Sequence, residues 1–326
     1  MDLIILSFQY LDIVYNINIW RNLMKVLIMG SGGVGGYYGS VLFKNGHDVK
    51  FIARGEHLKN INSNGLIVES VTSGNYTISV DAFSKVPTDF HPEVIFFTVK
   101  AYDNHQAIRT ISQYLSEETT LVTLQNGVGS ADLLRQKFPL NNIITGVTYV
   151  DSFVSHPGHI IEQGGPCNII LGNQFDPEDK TVSLLHKILT QSKINISVSP
   201  NIQIEVWNKL IYICALSGMM CITRSSMDSI LNHHETFEMT REIIQEVYNV
   251  SNAMNLDLEK NIVNSTMNQL KKNSRNIQSS MQTDLFKGKK IEVDYLNGAV
   301  FKFGKKYGIK TPINEYIFRS LSLHNA

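Results

Sequence analysis

Cysteine is scarce in this chain, with three among 326 residues: Cys167, Cys214 and Cys221. They are too scattered for a disulfide framework and contain no CxxC pair for zinc or redox work, so a reducing, cytoplasmic setting fits best. An excess of either charge is also absent, because 29 Lys and Arg balance 29 Asp and Glu. Such a chain has no global field for nucleic acid or anionic lipid, and we expect neither as a partner.

A long apolar run is missing from the first 23 residues, because Asp2, Asp12, Asn16 and Asn18 interrupt it. No stretch reaches the roughly 18 residues that a membrane span needs. The segment also lacks the basic start and small-residue cleavage site of a signal peptide. We expect residues 1–23 to be an extension outside the fold, with an ordered element packed on the body as the alternative.

From Met24 onward, short β-branched runs alternate with helical stretches. The helix Gly35–Lys44 is followed by the stop signal Asn45-Gly46. Strand–helix–strand alternation predicts an α/β fold with a parallel, doubly wound sheet. The predicted strands of this sheet are Val26–Met29, Val49–Ala53, Val94–Val99, Leu121–Leu124 and Asn142–Val150.

The pattern changes later in the chain. His159–Gln163 and Asn168–Leu171 are predicted as short antiparallel strands that close the first domain. From Ile202 the signals are helical, so we predict two domains, residues 24–200 and 201–326, with the active site in the cleft between them. The predicted helices are Glu205–Cys221, Thr236–Met254, Glu259–Lys271 and Val293–Tyr307.

A glycine-rich loop joins the first predicted strand to the first predicted helix, and its sequence fits G-x-G-x-x-G. In this context the pattern is typical of a Rossmann-type dinucleotide site, because the glycines permit a tight turn, close approach to a pyrophosphate and close helix–strand packing. The helix N-terminus offers free N–H groups and a partial positive charge to phosphates. We therefore predict cofactor contacts from Gly30, Ser31, Gly32, Gly33, Val34 and Gly35.

Three further residues follow predicted strands, where ligands bind in open α/β sheets. Arg54 lies roughly 20 residues past the glycine loop, where NAD sites usually carry an acidic residue; its guanidinium suits a 2′-phosphate and favours NADP(H). Lys100 and Asn126 are predicted cofactor contacts, and Asn126 also a substrate contact. The alternatives are a surface lysine for Lys100 and a turn residue for Asn126.

Together these motifs resemble the ketopantoate reductase family, from Met24 to about Pro312. No single motif decides this, but their joint order and spacing is a strong signal. The matching motifs are Gly30–Gly35, Arg54, Val99-Lys100-Ala101, Gln125-Asn126-Gly127-Val128-Gly129, Glu205-Val206-Trp207-Asn208-Lys209-Leu210, Ser279-Ser280-Met281 and Ile291–Gly298.

The resemblance implies NADPH-dependent reduction of 2-dehydropantoate to (R)-pantoate, on the route to coenzyme A. Lys209 matches the family's catalytic lysine, the general acid that protonates the carbonyl oxygen. Glu292 matches a carboxylate that binds substrate and supports catalysis. Asn126 matches a residue near nicotinamide and substrate, and Ser280 one that contacts the substrate carboxylate.

The resemblance also places Arg54 and Lys100 at the adenosine 2′-phosphate and implies a homodimer through the helical domain. Without the family match, Lys209 beside Trp207 reads as a surface lysine. Burial or a neighbouring cation can lower a lysine pKa towards neutrality, which suits a proton donor. No metal is expected, because His233-His234-Glu235 lacks the i, i+4 spacing of a helical zinc site.

The chain departs from the family pattern on the helix of Lys209. Asparagines are common four and eight residues after the catalytic lysine, where this chain has Ile213 and Ser217. These positions share one helix face with Lys209. Ile213 has no amide to offer there, and Ser217, whose side chain is shorter than that of asparagine, is the substrate contact that is left. Reduction of another small 2-oxo acid and a non-catalytic NADP-binding sensor are therefore the alternatives.

Cofactor choice can be tested at Arg54. We expect Arg54→Asp to raise the KM for NADPH far more than the KM for NADH, because the variant repels the 2′-phosphate. Steady-state kinetics with each cofactor measures both values, and equal effects on the two would contradict the assignment.

Overall fold

A computed structural model of the chain describes residues 23–275 and 277–325. Of the predicted extension, only Leu23 lies within the described residues. The strands are β1 Lys25–Met29, β2 Asp48–Ile52, β3 Leu66–Ser70, β4 Tyr76–Ile78, β5 Ala82–Phe83, β6 Val94–Phe97, β7 Thr120–Thr123, β8 Ile143–Tyr149, β9 Ser152–His156, β10 His159–Glu162, β11 Asn168–Gly172 and β12 Asn195–Val198.

Helices follow half of the strands and make up the later part of the chain. They are α1 Gly33–Lys44, α2 Gly55–Asn64, α3 Asn104–Ile111, α4 Ser130–Lys137, α5 Lys180–Gln191, α6 Ile202–Thr223, α7 Met227–Leu231, α8 His234–Ala253, α9 Ile262–Asn273, α10 Ser280–Phe286, α11 Asn297–Tyr307 and α12 Pro312–Leu321.

The main sheet has eight strands in the order β12-β11-β8-β7-β6-β1-β2-β5. All neighbours pair in parallel except β8 and β11. The central strands β6 and β7 are buried along their whole length, as strands covered on both faces must be. The predicted α/β architecture is confirmed, with one antiparallel pair.

A second, four-stranded sheet was not predicted. Its order is β4-β3-β10-β9, with β3 and β10 parallel and the outer pairs antiparallel. The strand predicted at His159–Gln163 is β10, which belongs to this sheet. The strand predicted at Asn168–Leu171 is β11, which joins the main sheet antiparallel to β8, and the edge there is β12, which was not predicted. The pairing of β10 with β3 joins residues about ninety positions apart, and such long-range pairing leaves no local pattern.

A buried carboxylate lies at the end of β10. Glu162 is 1% exposed and accepts hydrogen bonds from the hydroxyl of Ser70, the backbone N–H of Thr72 at 3.0 Å, the backbone N–H of Gly164 and the thiol of Cys167 at 3.1 Å. Burial acts to raise the pKa of Glu162, but these donors outweigh it and hold the pKa below the ordinary value. The charge of Glu162 therefore joins two loops of this sheet.

The chain divides into two compact units. Of the described residues, the first comprises 23–99, Asp103–Leu124 and Leu134–Val198 and contains every strand that the structure describes. The second comprises Lys100–Tyr102, Gln125–Leu133 and the described residues from Ser199 onward. The two-part division was predicted near residue 200, but two short segments from the earlier half join the second unit.

The second unit is built around α6, which packs against α8. Within the described residues, α6 is the one helix long and apolar enough to cross a membrane by length and composition. Leu210, Ile211 and Cys214 of α6 are 0% exposed in a core shared with Ile243 and Val247 of α8. The apolar composition of α6 is therefore that of a core helix.

Stability at acid pH tests the role of Glu162. A carboxyl with a lowered folded-state pKa stabilises the fold above its unfolded pKa, and this contribution is lost as the pH falls through the folded pKa. We expect Glu162→Gln to lower the free energy of unfolding by about 2 kcal/mol at pH 7. Below about pH 4 the difference from wild type should shrink.

Urea unfolding across this pH range measures both effects, with Glu118→Gln, a change at an exposed carboxyl, as the matched control. A Glu162→Gln variant as stable as the control at pH 7 would contradict the role of the buried charge.

Candidate active site

The glycine loop has the geometry that a dinucleotide site requires. Gly30 has a φ of +108°, and a Cβ there would lie 2.7 Å from the backbone nitrogen of Val99. A Cβ on Gly35 would collide with the carbonyl oxygen of Gly30 and the hydroxyl of Thr98, so only glycine lets α1 pack this close. Gly32 is different, because a Cβ there would meet no atom within 4 Å.

The N-terminus of α1 is therefore open on the side of Gly32. This residue is the N-cap of α1 and, as a glycine, has no side chain to cap the first turn. Free backbone N–H groups and an open glycine face are the features that receive a phosphate at a helix N-terminus. The residues present thus fit the pyrophosphate of a dinucleotide.

Ser31, Gly33 and Val34 support the loop from within. The hydroxyl of Ser31 donates to the carbonyl oxygen of Ile52 at 2.9 Å, so this side chain binds the sheet. A Cβ on Gly33 would collide with the backbone of Ser152, and Val34 packs against the core of the first unit. Any cofactor contact from Ser31 and Gly33 therefore falls to their backbone.

His57 of α2 also holds the loop, a role that the sequence does not predict. The N–H of Gly158 donates to Nδ1 of His57 at 2.9 Å, so Nε2 carries the proton and donates to the carbonyl oxygen of Ser31 at 2.7 Å. Burial lowers the pKa of His57, and the bond to Ser31 offsets only part of this shift. The lowered pKa favours the neutral ring. A single histidine carries no sequence signal for this positioning role.

Arg54 lies at the end of β2, immediately before α2. Its guanidinium forms an ion pair with Asp103 and donates to Oε1 of Gln106 at 3.0 Å. The Arg54 side chain is 60% exposed, so this group is accessible from solvent. The sequence predicts Arg54 as a ligand group but carries no sign of the carboxylate beside it.

Glu292 is the centre of the polar cluster in the second unit. Its carboxylate is 5% exposed and accepts hydrogen bonds from Nζ of Lys100 at 3.0 Å and from the N–H of Ala101 at 3.1 Å. Lys100 also pairs with Asp284 at 2.9 Å. Burial acts to lower the pKa of Lys100, but Glu292 and Asp284 outweigh it and hold the pKa above the ordinary value.

Lys209 lies on α6 and shares the field of Glu292. Burial lowers the pKa of Lys209 to about 8, and the charge of Glu292 opposes this shift without cancelling it. At pH 7 the ammonium form of Lys209 therefore predominates. A lysine in this range can release its proton far more readily than an ordinary lysine.

Asn126 lies in a turn that packs within the second unit. The next residue, Gly127, has a φ of +84°, and a Cβ there would collide with the carbonyl oxygen of Tyr295. The N–H of Val128 donates to that oxygen at 3.4 Å. Asn126 is half-buried, and its turn is held against the segment that follows Glu292.

The three serines near the predicted substrate site differ in their surroundings. Ser279 is 2% exposed, caps α10 by accepting from the N–H of Gln282, and donates to the hydroxyl of Ser217 at 3.0 Å. Ser280 is exposed, and Ser217 is 6% exposed. Ser279, which the sequence analysis did not select, thus links α10 to the helix that carries Lys209.

The structure brings Lys209, Glu292 and Lys100 into one cluster of charges. Lys100 belongs to this cluster in the second unit, whereas Arg54 belongs to the first unit. Lys100, which was predicted to contact a phosphate, has a carboxylate partner in Glu292.

Ile213 is half-buried on α6. His233 and His234 are exposed, and no group of three metal-ligating side chains occurs in the described part of the chain.

Two family models together match most of this chain. Residues 26–174 match the family model for "Ketopantoate reductase PanE/ApbA", and residues 201–325 match the model for its C-terminal domain. A 2-dehydropantoate 2-reductase of Pyrococcus abyssi is 26% identical over 89% of this chain and 94% of its own length.

Solved structures give the same result. A PanE/ApbA family ketopantoate reductase from Ralstonia eutropha JMP134 superposes with a TM-score of 0.85 at 28% identity, over 92% of this chain and 98% of its own. A D-mandelate dehydrogenase solved with NADH and anilino(oxo)acetate has the same fold, with a TM-score of 0.85 and 24% identity over 92% of this chain and 98% of its own.

The link between Ser279 and Ser217 can be tested by stability. We expect Ser279→Ala to lower the free energy of unfolding by about 1–2 kcal/mol, because it removes both a helix cap and a buried hydrogen bond. Ser280→Ala, one residue away and exposed, should change it by less than about 0.5 kcal/mol. Urea denaturation compares the two, and equal losses would contradict the role of Ser279.

Proposed function

This chain belongs to the ketopantoate reductase family, and from that premise we propose that it catalyses NADPH-dependent reduction of 2-dehydropantoate to (R)-pantoate. The observation that carries the proposal is Lys209, a lysine whose pKa is lowered to about 8 beside the carboxylate of Glu292. An ammonium of this kind suits proton donation to a carbonyl oxygen that becomes an alkoxide.

The cofactor would be held by the first unit. The backbone of the loop from Gly30 to Gly35, with its open face at Gly32, would receive the pyrophosphate. The guanidinium of Arg54 would bind the 2′-phosphate, and this is the basis for proposing NADP(H). When bound, a nicotinamide cofactor supplies the hydride.

The proton would come from Lys209. Its ammonium donates to the substrate oxygen as negative charge develops there, and the neutral amine that remains recovers a proton from solvent. Because the acid form is required and its pKa is about 8, the rate of reduction should fall as the pH rises above about 8.

Glu292 would act by orientation and charge. It favours the ammonium form of Lys209, since a nearby anion stabilises a cation, and it keeps the pKa of Lys209 from falling further. Lys100 donates to Glu292 and so pairs this carboxylate in its buried position. We place Asn126, Ser217 and Ser280 at the substrate, with Ser280 at its carboxylate.

A second candidate, reduction of a 2-oxo acid with an apolar side chain, is favoured by Ile213. An apolar residue one helical turn from Lys209 cannot bond a substrate hydroxyl. The D-mandelate dehydrogenase neighbour, solved with an oxo acid, agrees with this second candidate. The homodimer stays a prediction.

Replacement of Lys209 tests the mechanism. We expect Lys209→Ala to reduce kcat by about 10²–10⁴-fold, the usual contribution of a positioned acid, and to leave the Kd for NADPH within about twofold. Stopped assays with 2-dehydropantoate and with apolar 2-oxo acids give kcat, and fluorescence titration gives Kd.

Lys271→Ala removes an exposed lysine of α9 and serves as the control. Wild-type turnover by the Lys209 variant would end the proposal. If the unmodified enzyme reduces apolar 2-oxo acids but not 2-dehydropantoate, the second candidate replaces the first.

A further inference from the structure

The acidic partner of Arg54 bears on which cofactor the chain prefers. Both ends of the guanidinium are engaged, Nη2 by the carboxylate of Asp103 and Nη1 by Oε1 of Gln106 at 3.0 Å. Asp103 and Gln106 lie at the start of α3, and the side chain of Asp103 is 26% exposed. A solvent-facing arginine is thus already paired with an anion.

This pairing has opposite consequences for the two cofactors. A 2′-phosphate carries nearly two negative charges, and it must share or displace the carboxylate of Asp103 to reach Arg54. A 2′-hydroxyl carries no charge and can donate a hydrogen bond to a carboxylate, which is how acidic residues in NAD sites act. Asp103 therefore disfavours NADPH and favours NADH, while Arg54 does the reverse.

We infer that Asp103 is a specificity-determining residue that reduces the preference of this chain for a 2′-phosphate over a 2′-hydroxyl. The inference rests on the proposed dinucleotide site. The residue is well suited to this role, because its side chain makes no capping bond to α3 and its partner is the guanidinium of Arg54 itself. The other acidic group near Arg54 on α2, Glu56, is paired with Lys59 at 2.6 Å instead.

Binding of nucleotide fragments tests the inference without any turnover. The probes are 2′,5′-ADP, which carries the 2′-phosphate, and 5′-AMP, which does not, titrated calorimetrically into the full chain. We expect Asp103→Asn to tighten 2′,5′-ADP by about five- to tenfold and to leave 5′-AMP unchanged or weaker, because the amide removes the repulsion and keeps the shape. The Kd for 2′,5′-ADP divided by the Kd for 5′-AMP should therefore fall.

Glu56→Gln is the matched control, since it removes one negative charge two residues from Arg54 without touching the guanidinium. An unchanged ratio in Asp103→Asn, or an equal shift in Glu56→Gln, would overturn the inference. Failure of both fragments to bind wild type would overturn it together with the dinucleotide site. A shifted ratio in a chain that reduces no 2-oxo acid would support the inference and reject the proposed reaction instead.

Discussion

The buried carboxylate of Glu292 constrains the second unit, because a charge that is 5% exposed must be paired where it lies. Lys100 and the N–H of Ala101 supply that pairing, and this explains why a segment from the middle of the chain belongs to the helical unit. The ion pair and the fold of this segment therefore depend on each other. A buried pair of this kind is strongly destabilised by loss of one partner.

The same carboxylate acts differently on two lysines. Lys100 is within hydrogen-bond distance and has a second acidic partner, so its pKa is held above the ordinary value and it stays charged. Lys209 receives only part of this field while burial lowers its pKa to about 8. Neighbouring groups whose pKa values are driven apart are the usual sign of an acid and its supporting charge.

Much of this arrangement could be predicted from the sequence. Buried strands such as β1 and β6 are continuous apolar runs, the glycine loop has a defined spacing, and α6 and α8 have strong helical patterns. The second sheet could not be predicted, because the pairing of β10 with β3 joins residues that are distant in the chain. Glu292 and Lys209 were selected by family resemblance, whereas His57, Asp103 and Ser279 act through single tertiary contacts that carry no motif.

The most direct test of this account is the pKa of Lys209 in the folded protein. Nuclear magnetic resonance of a sample labelled at the lysine ε-carbons, titrated from pH 6 to 11 and assigned by comparison with Lys209→Arg, measures that value. The account predicts a Lys209 signal that titrates near 8 while exposed lysines titrate in the ordinary range. A Lys209 signal that titrates with the exposed lysines would contradict it.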